Sequence, residues 1–334
     1  MQKCCFILFL ITVTGLSGKI HAQTNNEGML LFNSGFEPNT RLIPLRDDVS
    51  TDKEITGTDL SVGGPNDWVK DIDENPLLGD IYIQFQGGDS SMRYARIIEG
   101  PQNPENHVLQ FWTNGPNVEG RKTRIQANLF EHPGQNMPGI YELYQSVRVY
   151  LPEDMGLLKS YPDKIGWLTI FEVWNNLQWM DDPYPFRITV GMGKDTENES
   201  ELHFHVGAED YEYPAQTGRQ RGRYIKIWHE MNKSINVPIG QWFTLEYYVK
   251  EGNGETGRFY MLITTEDGKK QVLFDIHNFT HNTKDPNPDG ITLWNPLKLY
   301  TSKNLVNYMR ENGSALEILW DDFSVWKGKV PEAE

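Results

Sequence analysis

From Ile81 to Trp326 the chain keeps returning to short runs rich in β-branched and aromatic residues, each closed by Gly, Pro, Asn or Asp. An extended backbone turns successive side chains to opposite faces, so a run that alternates polar with apolar residues reads as a half-buried strand. Arg124, Gln126 and Asn128 alternate with Ile125, Ala127 and Leu129, and His203 and His205 alternate with Leu202, Phe204 and Val206. Comparable runs occupy residues 81–86, 92–97, 107–113, 122–131, 141–151, 167–175, 186–193, 202–207, 223–230 and 242–250. Residues 259–265 and 271–277, joined through Asp267-Gly268, read as a hairpin, and residues 316–326 as a last strand. One helix is expected after Ser302 as its cap, with Leu305, Val306, Tyr308 and Met309 as its apolar stripe and Asn312-Gly313 as its stop. Many strands, one short helix and no repeat predict an all-β fold, a two-sheet antiparallel β-sandwich or jelly roll.

The leading residues have another character. Lys3 precedes the apolar run from Cys4 to Val13, and a small residue follows at Ala22. That is the layout of a cleaved signal peptide over residues 1–22, and the run is too short to span a bilayer. Both cysteines lie within it, so the mature chain is expected to have no disulfide and no thiolate metal site. A periplasmic or secreted protein is the expectation. Residues 34–79 lack a period and hold turn formers such as Gly63-Gly-Pro-Asn66. The chain therefore divides into an N-terminal strand with covering loops over 23–80, one jelly-roll domain over 81–328 and a tail over 329–334.

The formal net charge is −15, and removing a leader with two lysines and no acid leaves −17. Such a chain is a poor partner for nucleic acid or an anionic membrane surface. Its abundant tryptophan and tyrosine suit core positions, with a minority free to stack on sugar rings. The polar strand faces are the strongest candidate constellation. One strand offers Arg124, Gln126 and Asn128, a second Arg187 and Thr189, and a third His203 and His205. The segment Thr169-Ile-Phe-Glu-Val-Trp-Asn-Asn176 offers either Glu172, Trp174 and Asn176 or Val173 and Asn175, depending on which face looks out. Together these faces would line a concave groove for a polysaccharide.

Several motifs, in order, resemble a known family. Gly120-Arg-Lys-Thr-Arg-Ile-Gln-Ala127, Tyr144-Gln-Ser-Val-Arg-Val-Tyr-Leu-Pro152, Thr169–Asn176, Pro238-Ile-Gly-Gln-Trp242, Lys298-Leu-Tyr300 and Trp320-Asp-Asp-Phe-Ser-Val-Trp326 are similar to the strand motifs of Bacteroidetes-type polysaccharide lyases related to heparin lyase I. The resemblance implies a concanavalin A-like jelly roll and β-elimination beside a uronate. That chemistry neutralises the carboxylate, removes the C5 proton and protonates the departing oxygen. It implies that Tyr300 acts in proton transfer and that Arg124, Gln126 and Asn175 hold the carboxylate. Aligned through Trp174, the family's catalytic histidine falls on Asn175 and its glutamine on Val173, and an amide cannot accept a proton. The base then falls to His203 or His205, or to Tyr300 acting as both base and acid.

Two other readings stand beside this one. A glycoside hydrolase needs two carboxylates across the scissile bond, with Glu172 as the first and Asp181, Asp182 or Glu246 as its partner. A non-catalytic binder would stack sugars on Trp174, Trp179, Trp228 and Tyr213 and fix them through Arg187. No cofactor is called for, and the histidines lack the spacing of a zinc site. Glu37 with Asp321 and Asp322 is a candidate oxygen ligand set for a structural Ca²⁺.

Overall fold

The computed structural model describes residues 27–45, 51–116, 121–129, 139–218 and 221–332, and the expected leader lies outside them. The fold is a two-sheet antiparallel β-sandwich jelly roll, with sheets of eight and ten strands. The first sheet runs, edge to edge, through Lys270–His277, Arg258–Thr265, Trp242–Lys250, Glu142–Tyr150, Leu316–Lys327, His107–Thr113 and Arg93–Glu99, with Met29–Ser34 also pairing to Leu316–Lys327. The second runs through Arg223–Asn236, His203–Glu212, Phe186–Gly193, Leu168–Asn175, Lys298–Ser302, Lys122–Asn128, Tyr82–Gln86, Lys53–Thr56 and Arg41–Pro44, and Leu293–Asn295 pairs with Leu168–Asn175. Among the described residues no helix is long and apolar enough to cross a membrane.

The apolar halves of the alternating strands meet between the sheets. Phe171 of the second sheet stacks on Tyr247 of the first, with ring centroids 4.3 Å apart and planes 4° apart. Phe204 and Phe243 meet edge to face at 6.1 Å. Burying each such ring contributes roughly 2–3 kcal/mol, and this two-sided burial fixes which face of each strand looks outward.

Two features depart from the sequence reading. Residues 34–79 are not wholly irregular: Arg41–Pro44 and Lys53–Thr56 extend the second sheet, and a helical turn over Trp68–Asp73 buries Trp68 and Ile72. Strands of four residues are too short to show a period. The helix forms over Lys303–Glu311 and buries Leu305, Val306 and Met309, but Ser302 at its start makes no capping bond through its side chain. Gly313 follows the helix at φ 80°, a value glycine adopts without strain.

The hydroxyl of Tyr247 is buried in the core with no hydrogen-bond partner. An unpaired buried hydroxyl forfeits its bond to water, so Tyr247→Phe is expected to stabilise the fold by about 1 kcal/mol, read as a raised midpoint in urea unfolding.

Candidate functional site

The outer face of the ten-stranded sheet is a groove of about 1010 Å³, lined from Gln84 and Gln86 on one side to Trp228 and Met231 on the other. At its centre lies Glu172. Every residue of Leu168–Asn175 is buried, so this carboxylate must be neutralised where it stands. The Lys298 ammonium donates to Glu172 from one neighbouring strand, and Arg187 Nη1 lies 3.3 Å from Glu172 Oε1 on the other. Arg187 also donates from Nε and Nη2 to Glu209 Oε2, at 3.0 and 2.7 Å, and stacks its guanidinium 3.8 Å over the Tyr224 ring. Lys298 donates further to Asn295 Oδ1 at 2.9 Å. Asn295 Nδ2 and Gln126 Nε2 each donate to Asn128 Oδ1 at 2.6 Å.

Burial alone would raise the Glu172 carboxyl; the charges of Lys298 and Arg187 outweigh it and hold its pKa below the ordinary value. Burial pulls Lys298 down to about 8 against the attraction of Glu172, so the pair is ionised at neutral pH.

Beside this neutral knot runs a lateral row of register partners. Met231, His205, Gly191, Thr169, Tyr300, Arg124 and Gln86 follow one another across six neighbouring strand pairs. A β-bulge between the register pairs of Thr169 and Phe171 brings Thr169 and Glu172, three apart in sequence, onto the same face. His205 and Tyr300 are three strand spacings apart, roughly 14 Å between Cα atoms. Only Gly191 and Thr169 lie between them, leaving an open floor. A Cβ on Gly191 would come within 2.7 Å of the His205 ring, so the imidazole rests where only glycine fits.

The protonation states of the two flanking groups follow from burial. Burial first, then the neighbouring His229, lowers His205 to about 4, so its ring is neutral near neutral pH, and its Nε2 has no partner. Burial and the charge of Glu172 raise the Tyr300 hydroxyl, which stays protonated. Around the Tyr300 ring lie Lys298 Nζ at 5.2 Å and Lys122 Nζ and Arg124 Cζ at 5.8 Å each, and Trp167 meets it edge to face at 4.8 Å. Arg124 Nη2 donates to the neutral Gln84 Oε1 at 2.8 Å. Among the described residues Lys122, Lys164 and Lys226, all lining the groove, have no carboxylate partner. The groove is therefore cationic at its margins within an acidic protein.

The candidates from the sequence fall into two groups. Tyr300, His205, Arg124, Gln126, Asn128, Trp174, Arg187 and Glu172 all line the groove. His203 and Asn175 do not. His203 turns Nδ1 towards the carbonyl of Ile235 at 3.5 Å, and the Asn175 amide donates to Glu251, on the inner side of the strand from Trp174. The expectation that Asn175 holds a substrate carboxylate is corrected accordingly: the alternation that sends Glu172 and Trp174 outward sends Asn175 inward. Both oxygens of Glu172 are engaged by cations, which leaves no free acid for glycoside hydrolysis. Glu246 sits in the other sheet, bonded to the Tyr144 hydroxyl, and Asp182 Oδ2 accepts the Leu177 N–H at 2.7 Å.

The three calcium candidates meet beside Gly35, where a Cβ would lie 3.5 Å from Asp321 Oδ1, 3.6 Å from Asp322 Oδ1 and 3.7 Å from Glu37 Cγ, but they are engaged with other groups. Asp321 accepts from Asn106 Nδ2 at 3.0 Å and is raised to about 7 by burial and by Asp322, while Glu37 lies 3.3 Å from His107 Nδ1. Among the described residues no group of three or more His, Cys, Asp or Glu side chains is arranged to hold a metal ion.

Sequence reasoning missed Lys298, Asn295, Tyr224 and Lys122 as site residues. Lys298 was within reach, because it stands two residues before Tyr300 and so shares its face.

No protein-family model matches the chain, and a search of curated proteins returns no match. Among solved structures the chain is similar to the endo-β-1,4-glucuronan lyase from the fungus Trichoderma reesei, at 14% identity over 73% of this chain and 90% of that one, with a TM-score of 0.43. It is similar also to the alginate lyase Aly36B, at 13% identity over 89% and 100% with a TM-score of 0.38. A third is the marine PL-14 alginate lyase from Aplysia kurodai, at 10% identity over 74% and 90% with a TM-score of 0.41. Likeness at this level assigns neither substrate nor residue roles.

Removing one partner of a buried ion pair costs more than removing both. Lys298→Met is expected to destabilise the fold by about 3–5 kcal/mol, and adding Glu172→Gln to recover a large part of that, both read by denaturant unfolding.

Proposed function

We propose that the protein is an exported polysaccharide lyase that cleaves a uronate-containing glycan by β-elimination. The observation that carries this reading is the lateral row in which a neutral imidazole and a protonated phenol face each other across a floor of Gly191 and Thr169, with unpaired cations beside the phenol. The resemblance of the strand motifs, in order, to those of heparin lyase I-related enzymes agrees with it, and the signal-peptide layout of residues 1–22 supports export. Arg124 and Lys122 neutralise the uronate carboxylate, which acidifies the proton on C5. Once its ring turns outward into the groove, His205 Nε2, buried against Gly191 in the resting structure, takes that proton. Its electron pair forms the C4–C5 double bond as the bond from C4 to the glycosidic oxygen breaks, and the Tyr300 hydroxyl supplies the proton to the departing oxygen. Tyr300 serves as acid because burial keeps it protonated, and His205 serves as base because burial keeps it neutral.

The test is incubation of the mature chain with a panel of uronate and neutral polysaccharides, including glucuronan and alginate, the substrates named for the three structures above. New ultraviolet absorbance from an unsaturated uronate is the expected result. New reducing ends without it would mean hydrolysis, and retarded migration in a glycan gel without products would mean binding alone. Tyr300→Phe and His205→Gln are each expected to lower kcat/KM by about 100-fold or more. A base with a pKa of about 4 works only above it, so kcat/KM should hold through neutral pH and fall as the pH drops through about 4. A limb near 6.5 would show that another group is the base.

A further inference from the structure

We infer that Trp179 forms a remote sugar-stacking subsite that sets how long a chain the groove grips, an inference that rests on reading the groove as a polysaccharide site. Trp179 lines the groove with 47% of its surface exposed. An isolated exposed indole is ordinary on a protein surface, but this one is built in. It meets Trp174 edge to face at 5.0 Å and 77°, and Trp174 in turn lies against Arg187, whose guanidinium covers Tyr224. The turn that carries it is pinned on its far side, where the Tyr213 hydroxyl donates to the Asp182 carbonyl at 2.8 Å. Asn176, Asp181 and Tyr184 adopt φ values of 62°, 57° and 54° around it. Left-handed backbone at three non-glycine residues costs free energy, and the surrounding bonds hold it in place.

The platform also stands away from the reacting row. Thr169 belongs to that row, and Trp174, which braces Trp179, lies further along the same strand, the two pairing with Gly191 and Arg187 four residues apart on the neighbouring strand, roughly 13 Å. A single sugar between His205 and Tyr300 does not reach it. Only a chain extending several units in that direction would lay a ring on Trp179. Its gain therefore comes with chain length, not with the bond being cut.

The experiment compares dissociation constants for long and short fragments of the same uronate polysaccharides, measured by calorimetry in the Tyr300→Phe background to slow turnover. Trp179→Ala is expected to reduce the preference for long over short fragments by about tenfold, the worth of one stacked ring. Trp179→Tyr keeps a ring and is expected to retain most of that preference. Met180→Ala removes a neighbouring exposed apolar side chain outside the groove and leaves it unchanged. Equal loss at both lengths, no loss, or no binding of any fragment overturns the inference. If no unsaturated product ever appears yet the length preference still depends on Trp179, the lyase reading fails and the platform stands.

Discussion

A carboxylate buried at the centre of the groove sheet governs how this face is assembled. Left unpaired, an ionised group in that position would cost several kcal/mol, a large part of a domain's stability margin. Glu172 is satisfied only because Lys298 arrives from one neighbouring strand and Arg187 from the other. Lys298 is remote from it in sequence, so the pair also decides which strand is inserted beside Leu168–Asn175. Arg187 then needs a second carboxylate, which Glu209 supplies from the next strand out. Four charges cancel across four strands, and the middle of the groove is rigid and electrically neutral. The charge left for a ligand is displaced to the margins, at Lys122, Arg124, Lys164 and Lys226.

That chain of dependence marks what was legible beforehand. Period-two alternation reveals strands and their faces, because burial acts on each strand separately, and the strands over His107–Thr113, Phe186–Gly193 and Trp242–Lys250 begin and end where alternation puts them. Pairing depends on partners far along the chain and leaves no local trace. Glu172 therefore read as a candidate catalytic acid, since a sequence does not display the two cations that occupy it. Lys298–Ser302 read as a motif and not as a central strand, because five residues after Pro296 carry little pattern. Asn175 was placed by alignment through Trp174. The pleat overrules that alignment, for a residue beside a groove-facing tryptophan must face the core.

The two groups flanking the floor owe their chemistry to one cause acting in opposite directions. Withdrawal from water disfavours whichever form is charged. For an imidazole the charged form is the protonated one, so burial makes His205 a neutral acceptor. For a phenol it is the deprotonated one, so burial makes Tyr300 a retained donor. A single desolvated surface thus leaves a neutral acceptor and a protonated donor at the same pH. Gly191 completes the arrangement by leaving room for the imidazole to lie against the sheet.

The acidic exterior does not contradict an anionic ligand. At physiological ionic strength charges are screened within about 8 Å, which is shorter than the width of the groove sheet. A polyanion on the concave face is therefore governed by the local lysines and arginine and not by the net charge of −15. The ion pairs at the centre sharpen that effect. Had Lys298 and Arg187 been free, the strongest attraction would lie over Glu172, where the sheet offers no acceptor for a proton. With both neutralised, the cations nearest the Tyr300 ring without a carboxylate partner are Lys122 and Arg124, and in the proposed reaction these would supply the attraction for the uronate carboxylate.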